Sequence, residues 1–237
     1  MKRPAVSVIV ATYNEAENIP KIIPRIHEAL NKAKIDEEII VVDDNSPDST
    51  SGIARRMAKT GKYPVRVIER KKKQGLIQAD VDGFSHARAD VIGCMDADLS
   101  HPPEKLPELI RPILDGNADI TVGSKYAGGG GIKNGWPLKR RIMSWVAMTL
   151  ARPISPVKDS VSGFFFFRHS AIKGIEFRSK GFKTLLEILV KGRYKTTIEV
   201  PITFADRARG QSKLGKSEIL GYLAHLAQLY KHKALKK

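Results

Sequence analysis

The sequence predicts an α/β protein with a mostly parallel central sheet flanked by helices. Short β-branched runs alternate with helical segments through residues 5–123, which is typical of a doubly wound sheet. The 237 residues, 42% of them hydrophobic, can bury an apolar core without covalent cross-links. The single cysteine, Cys94, excludes an intrachain disulfide and a zinc site built from cysteines. Because such sheets bind ligands at the carboxyl ends of their strands, functional residues are expected there.

The first half of the chain carries this alternation. Strands are predicted at residues 5–11, 38–42, 65–69, 91–95 and 119–123, each an apolar run. The helices between them are predicted to end near residues 30, 59, 87 and 115. Turn and capping sequences at residues 18–20, 45–49 and 102–103 mark three of the helix starts.

After residue 123 the pattern changes, and we predict one domain over residues 1–215 with a C-terminal extension over residues 216–237. Helices are expected at residues 137–151, 183–190 and 217–230, strands at 161–167 and 196–202, and loops at 128–131 and 205–215. One apolar face of the last, amphipathic helix is predicted to contain Ile219, Leu220, Leu223, Leu226, Ala227 and Tyr230. The longest stretch without a charged residue is 12 residues, so we expect no membrane span in this sequence.

The charge balance favours anionic partners. Lys and Arg number 41 against 25 Asp and Glu, a net charge of +16. The basic residues form several separate clusters, without zinc-finger spacing, a basic zipper or an aromatic RNA-binding signature, so nucleic acid is not an expected partner. The N-terminus lacks the apolar segment of a signal peptide, so a cytosolic start is expected.

Two carboxylates form the sharpest motif. Asp96 and Asp98 directly follow the strand at residues 91–95, at the predicted carboxyl edge of the sheet. Hard oxygen donors in this arrangement suit Mg²⁺ or Mn²⁺ bridging a diphosphate. The alternative interpretation is an acidic turn that caps the helix beginning after Pro102 and Pro103.

Two further strand ends carry polar groups. Asp43 and Asp44 end the second strand, where a carboxylate suits ribose hydroxyls. Residues 12–15 (TYNE) end the first strand and offer an aromatic ring and a carboxylate to a nucleobase. Turn chemistry explains each segment alone, but three such segments, each at the end of a predicted strand, favour a nucleotide site.

These segments, together with others, resemble the dolichol-phosphate mannose synthases, which are family 2 glycosyltransferases with the A-type, Rossmann-like fold. The matching segments are residues 12–15, 42–48, 95–103 (MDADLSHPP), 123–126, 135–137, 162–164, 181–183 and 207–214 (RARGQSKL). The first segments are shared by many family 2 enzymes. MDADLSHPP and RARGQSKL are far more specific to polyprenyl-phosphate glycosyltransferases.

The resemblance implies roles for individual residues. The nucleoside is held by Ala11, Tyr13, Glu15, Val42 and Asp44. The metal, Mg²⁺ or Mn²⁺, is held by Asp96, Asp98 and Ser100. The rest of the nucleotide sugar is bound by Asp96, Ala97, Asp98, Ser100, Lys125, Lys183, Arg207 and Lys213. The acceptor phosphate is bound by Lys125, Arg140 and Ser144. The catalytic set is Asp96, Asp98, Lys125, Arg140 and Arg207.

The implied reaction transfers mannose from GDP-mannose to dolichyl or another polyprenyl phosphate, with inversion and with residues 1–215 as the catalytic domain. The expected location is the cytoplasmic face of a membrane. The protein would be peripheral as given, or integral if the natural chain continues, and a membrane-anchoring segment or subunit is a further expected partner. Lys125 stands where the family usually has Arg, and an ammonium cannot make the bidentate phosphate contact of a guanidinium. Two alternatives stay open: a polyprenyl-phosphate glucosyltransferase that uses UDP-glucose, and a non-catalytic module that binds membranes or anions.

Overall fold

The computed structural model describes residues 3–133, 138–177, 183–205 and 216–235. The strands are β1 (Val6–Thr12), β2 (Glu37–Asp43), β3 (Val65–Glu69), β4 (Val91–Cys94), β5 (Ile120–Ser124), β6 (Gly131–Ile132), β7 (Phe165–Arg168), β8 (Thr197–Pro201) and β9 (Thr203–Phe204). The α-helices are α1 (Ile19–Lys32), α2 (Thr50–Lys59), α3 (Leu76–His86), α4 (Leu106–Leu114), α5 (Leu138–Ala151), α6 (Thr184–Lys191) and α7 (Lys216–Leu235). Short 3₁₀ helices lie at Pro103–Lys105, Arg152–Ile154 and His169–Ile172.

Seven strands form the central sheet, in the order β3, β2, β1, β4, β7, β5, β8. Every neighbouring pair is parallel except those of β7, which runs antiparallel to both β4 and β5. The predicted mostly parallel sheet is therefore confirmed. An antiparallel strand begins where its parallel neighbours end, so the segment before β7 reaches the carboxyl edge of the sheet, where ligands of this class of fold bind.

Helices cover both faces of the sheet. In β1, Val8 and Val10 point to a core shared with α1 and α4, whereas Ile9 points to a second core shared with α3 and α6. Phe164 and Phe165 belong to opposite cores in the same way, and each is at most 1% exposed. The apolar runs read from the sequence are thus strands buried on both faces.

Two predicted strands differ from the observed ones. The strand expected from residue 161 begins at Phe165, because Ser162 Oγ donates to the carbonyl of Gly123 and accepts from the amide of Phe164, which makes residues 159–163 a turn. The last strand divides at Ile202, whose amide donates to the carbonyl of Ser124. Beyond it, β9 pairs with β6 in a separate two-stranded sheet.

The C-terminal helix α7 packs on the domain through a face offset from the predicted one. His225, Leu226 and Leu229 are buried, and both leucines contact a cluster that includes Leu186 of α6. Of the predicted face, only Leu226 is buried, and Leu220 is 68% exposed. Within the described ranges, no helix has the length and hydropathy that crossing a bilayer requires.

Candidate active site

The candidate site lies at the carboxyl ends of β2, β1 and β4. The register pairs Ala11 with Val42, and the amide of Asp44 donates to the carbonyl of Thr12 at 2.9 Å. β4 lies on the other side of β1 and leads directly to Asp96. The predicted nucleoside residues and the predicted metal residues therefore lie at or just beyond the carboxyl ends of adjacent strands.

The loop after β4 is tightly folded. The amide of Ser100 donates to Asp98 Oδ1 at 3.1 Å, and Leu99 between them has φ of 62°, in the left-handed region that a leucine rarely adopts. Asp98 is 6% exposed, whereas the side chain of Asp96 is 36% exposed. Backbone held in such a conformation is characteristic of functional loops.

The donors in this loop fit a hard divalent cation. Ser100 Oγ is buried and has no hydrogen-bond partner, which is costly unless a ligand engages it. No group of three or more His, Cys, Asp or Glu side chains suited to a metal occurs in the described part of the chain. Two carboxylates and a hydroxyl suit an ion such as Mg²⁺, which takes few protein ligands and completes its shell with phosphate oxygens and water.

Gly163 and His101, to which the sequence analysis gave no role in the site, lie against the carboxylate of Asp96. A Cβ on Gly163 would lie 2.8 Å from both carboxylate oxygens of Asp96, so only glycine leaves that carboxylate its place. His101 Nδ1 lies 3.6 Å from Asp96 Oδ2, with the ring packed against Phe164 and Phe204. Burial lowers the pKa of His101, which favours its neutral form. His101 lies in the matching segment 95–103 and Gly163 in the segment 162–164. The packing of His101 on Phe164 and the approach of Gly163 to Asp96 depend on the antiparallel placement of β7.

At the nucleoside end, Asp44 is held by three donors. Arg70 Nη1 and the amide of Gln74 donate to its Oδ1 at 2.7 and 2.9 Å, and the amide of Gly75 donates to Oδ2 at 2.8 Å. Arg70 is 8% exposed and also pairs with Asp82 at 2.8 Å. Asp44 thus anchors the start of α3, and its Oδ2 retains acceptor capacity. The sequence analysis did not single out Arg70, which is the first residue of a run of four basic residues at 70–73.

The other predicted nucleoside residues lie beside Asp44. The ammonium of Lys73 lies 3.5 Å from the centroid of the half-buried Tyr13 ring, a cation–π contact. Glu15 accepts a hydrogen bond from Asn18 Nδ2 at 2.7 Å. The aromatic ring and the carboxylate therefore lie just beyond the end of β1, each engaged by a neighbour.

At the predicted acceptor end, Lys125 follows β5 and is 9% exposed. Its ammonium contacts both carboxylate oxygens of Asp159, at 2.9 and 2.7 Å, and Asp159 is 1% exposed. Asp159, which the sequence analysis did not single out, precedes β7 and so reaches the same edge of the sheet. The cation predicted to meet the acceptor phosphate therefore already has a carboxylate partner.

Ser144 is brought to this end by α5. Tyr126 Oη lies 3.0 Å from Ser144 Oγ, and burial raises the pKa of Tyr126. Arg140 lies one turn earlier on α5, on the same side of the helix as Ser144. Two of the three predicted acceptor residues, Lys125 and Ser144, thus contact Tyr126, and Arg140 shares the side of α5 that carries Ser144.

Lys183 lies on the β7 side of the candidate metal loop. Its ammonium donates to the carbonyl of Val161 at 3.0 Å, two residues before Gly163. Arg207 and Lys213, predicted to hold the donor diphosphate, lie outside the described residues, as do residues 135–137 and 181–182 of the matching segments.

Comparisons with known proteins agree with the fold and the motifs. Residues 7–175 match glycosyl transferase family 2. A dolichol-phosphate mannosyltransferase of Pyrococcus furiosus is 47% identical over 230 residues, 95% of this chain and 64% of that protein. One of Mycosarcoma maydis is 40% identical over 238 aligned positions, 96% of this chain and 80% of that protein. The chain thus spans less than two thirds of the Pyrococcus protein's length.

Among solved structures, a mannosyltransferase of Pyrobaculum calidifontis in complex with GDP-Man and Mn²⁺ superposes with a TM-score of 0.66 at 22% identity. The match covers 100% of this chain and 66% of that chain. This likeness agrees with the A-type glycosyltransferase fold expected from the motifs. The chain therefore belongs to glycosyl transferase family 2, and within that family to the dolichol-phosphate mannosyltransferases.

Proposed function

We propose that this protein transfers mannose from GDP-mannose to dolichyl or another polyprenyl phosphate, in a divalent-metal-dependent reaction. The observation that carries the proposal is the loop of Asp96, Asp98 and Ser100, with its unpartnered buried hydroxyl, beside the strand ends that hold Tyr13 and Asp44. The name shared by the relatives supports mannosyl transfer to this class of acceptor. Mn²⁺ and GDP-Man in the structural neighbour support the cofactor and the donor.

At the donor end, the protein binds and neutralises a nucleoside diphosphate. Asp96, Asp98 and Ser100 would hold Mg²⁺ or Mn²⁺, which when bound stabilises negative charge on the departing diphosphate. Lys183 adds a fixed positive charge, since its ammonium is anchored to the carbonyl of Val161. The resemblance adds Arg207 and Lys213 to the same task.

At the acceptor end, no general base is needed. A phosphomonoester has a second pKa of about 6 and is already largely ionised near neutral pH. His101 is buried with a lowered pKa and faces Asp96, so it is not placed to take a proton from the acceptor. Lys125, Arg140 and Ser144 would orient the phosphate, and attack on the anomeric carbon opposite the leaving diphosphate inverts its configuration.

The lipid acceptor requires a membrane surface, and the helices supply apolar groups for it. Leu138, Ile142 and Trp145 of α5 are 70%, 52% and 64% exposed, and Leu220 of α7 is 68% exposed. Exposed apolar side chains beside basic residues suit the anionic, cytoplasmic face of a membrane. We therefore place residues 1–215 as the catalytic domain and residues 216–237 as a membrane-proximal extension, with an anchoring segment or subunit as a further partner.

The test is transfer of radiolabelled mannose from GDP-mannose to dolichyl phosphate in detergent, with Mg²⁺, with Mn²⁺ and with chelator. We expect metal-dependent lipid-linked product that Asp98→Ala abolishes and that Asp115→Ala, an exposed acid at the end of α4, leaves unchanged. Product from UDP-glucose alone would contradict the donor. Unchanged transfer by Asp98→Ala would contradict the site.

A further inference from the structure

A carboxyl group lies buried beneath the candidate site. Asp80, on α3, is 4% exposed, and its Oδ2 accepts a hydrogen bond from Thr184 Oγ1 at 2.5 Å. The Cys94 thiol, at the end of β4, lies close enough to the same carboxyl for the two groups to influence each other electrostatically. Phe84 and Leu185, from the same two helices, belong to the surrounding apolar core. Asp80 of α3 therefore bonds to the start of α6 beside the end of β4, in an apolar setting.

This carboxyl has no cation to offset its burial. Within the described residues, its hydrogen-bond partner is the Thr184 hydroxyl, and no basic side chain pairs with it. Burial raises the pKa of Asp80 to about 7. Burying such a group costs free energy that an apolar residue would not, and buried polar contacts of this kind can select one arrangement of packed elements. The contact between Asp80 and Thr184 is suited to setting how α6 sits against α3.

α3, β4 and α6 each lie next in sequence to a residue of the candidate donor site. α3 follows Gly75, whose amide donates to Asp44. β4 leads to Asp96. Thr184 is the first residue of α6 and directly follows Lys183. Because Lys183 is the residue next to the buried contact, movement of Thr184 would move Lys183 most directly.

We propose that Asp80 is a positioning residue of the donor site, which acts through Thr184 to hold Lys183 where the diphosphate of the donor binds. The proposal rests on the proposed function, because it assumes that a nucleoside diphosphate occupies this edge of the sheet. It predicts that the contact supports binding of the second phosphate and leaves binding of the nucleoside unaffected.

The test compares binding of GDP and GMP, and of UDP and UMP, by calorimetry with Mn²⁺ present. Thr184→Val keeps the size of the side chain and removes the hydroxyl, whereas Thr184→Ser keeps the hydroxyl. We expect Thr184→Val to weaken binding of the diphosphate by roughly ten-fold, the effect of losing one buried hydrogen bond, and to leave the monophosphate within about two-fold. Thr184→Ser should bind both as the unaltered chain does, and Lys183→Met should reproduce the loss.

Variants of Asp80 remove the acceptor of the same hydrogen bond. Asp80→Leu should show the diphosphate-specific loss, and Asp80→Asn, whose amide oxygen can accept the Thr184 hydroxyl, should restore binding. Equal losses for diphosphate and monophosphate, or no loss in either Thr184→Val or Asp80→Leu, would overturn the inference alone. If the unaltered chain binds neither GDP nor UDP, the proposed function fails and this inference fails with it.

Discussion

The ammonium of Lys125 lies 2.7 Å from Asp159 Oδ2 and 2.9 Å from Oδ1, and both side chains are buried. An acceptor phosphate at this end of the site would share Lys125 with a carboxylate that already neutralises it. If the acceptor binds there as proposed, Arg140 and Ser144 would contribute more than Lys125 to holding its phosphate. The pair also joins β5 to the turn before β7, so it has a structural task as well.

Removing one member of this pair should destabilise the fold. Asp159→Leu removes the carboxylate that neutralises the buried ammonium of Lys125, and we expect it to lower the free energy of unfolding by about 3–5 kcal/mol. The double variant Lys125→Met/Asp159→Leu removes both charges and should unfold closer to the wild type. Urea denaturation measures both, and equal losses in the single and double variants would show that the pairing is unimportant.

Adding a methyl group behind Asp96 should impair catalysis. In Gly163→Ala the new Cβ would lie 2.8 Å from both carboxylate oxygens, so Asp96 must move away from its present position. We expect a fall in kcat of roughly 100-fold, because displacements of about 1 Å at reacting groups have effects of this size. Gly52→Ala is the control, since its Cβ would meet only the Arg56 guanidinium at 3.8 Å. Full activity in Gly163→Ala would contradict the role of Asp96.

Replacing Ser100, whose hydroxyl is buried and unpartnered, should weaken metal binding without destabilising the metal-free protein. Ser100→Ala removes a buried, unsatisfied group, so the metal-free protein should keep or gain stability, by up to about 1 kcal/mol. The same change should weaken Mn²⁺ binding, which titration by electron paramagnetic resonance measures. Lower stability together with unchanged Mn²⁺ affinity would mean that Ser100 is a packing residue only.

The stability of the protein should depend on the ionisation of Asp80. Its pKa is about 7 in the folded chain against a usual 3.8, so the folded state holds a proton that the unfolded state releases. The raised pKa therefore adds to the free energy of unfolding. This added stability is fully present below pH 3.8 and is lost as the pH rises toward 7, by at most about 1.4 kcal/mol per pH unit.

Asp80→Asn removes this titration. Between about pH 4 and pH 7, the wild type should therefore lose stability relative to Asp80→Asn as the pH rises. Urea denaturation of both proteins across this range tests the expectation. Parallel stability curves would show that Asp80 does not titrate on unfolding.

The exposed apolar residues of α5 should contribute to membrane binding. Replacing Trp145, which is 64% exposed, with serine should weaken binding to vesicles of anionic lipid several-fold, because apolar area no longer enters the interface. Leu114→Ser is the matched control, since Leu114 is 40% exposed and lies on α4. Vesicle sedimentation gives the comparison, and equal losses in the two variants would show that α5 has no special role.

Much of this protein can be read from local sequence. Hydrophobic periodicity predicted the alternation through residues 5–123, because strands buried on both faces need continuous apolar runs and the helices between them need apolar stripes. The polar residues that follow Thr12, Val42 and Met95 stood at strand ends in the sequence and lie there in the structure. Since parallel strands end at one edge, chain order alone was enough to gather them.

The contacts that the segment before β7 makes in the candidate site could be found only in the tertiary structure. No local signal shows that this strand runs antiparallel between β4 and β5, yet that placement brings Asp159 to Lys125 and Gly163 to Asp96. The packed face of α7 was likewise offset from the expected one, because contact with α6 selects among several apolar stripes. Periodicity records which residues avoid water, whereas pairing between residues distant in sequence depends on the topology that buries them together.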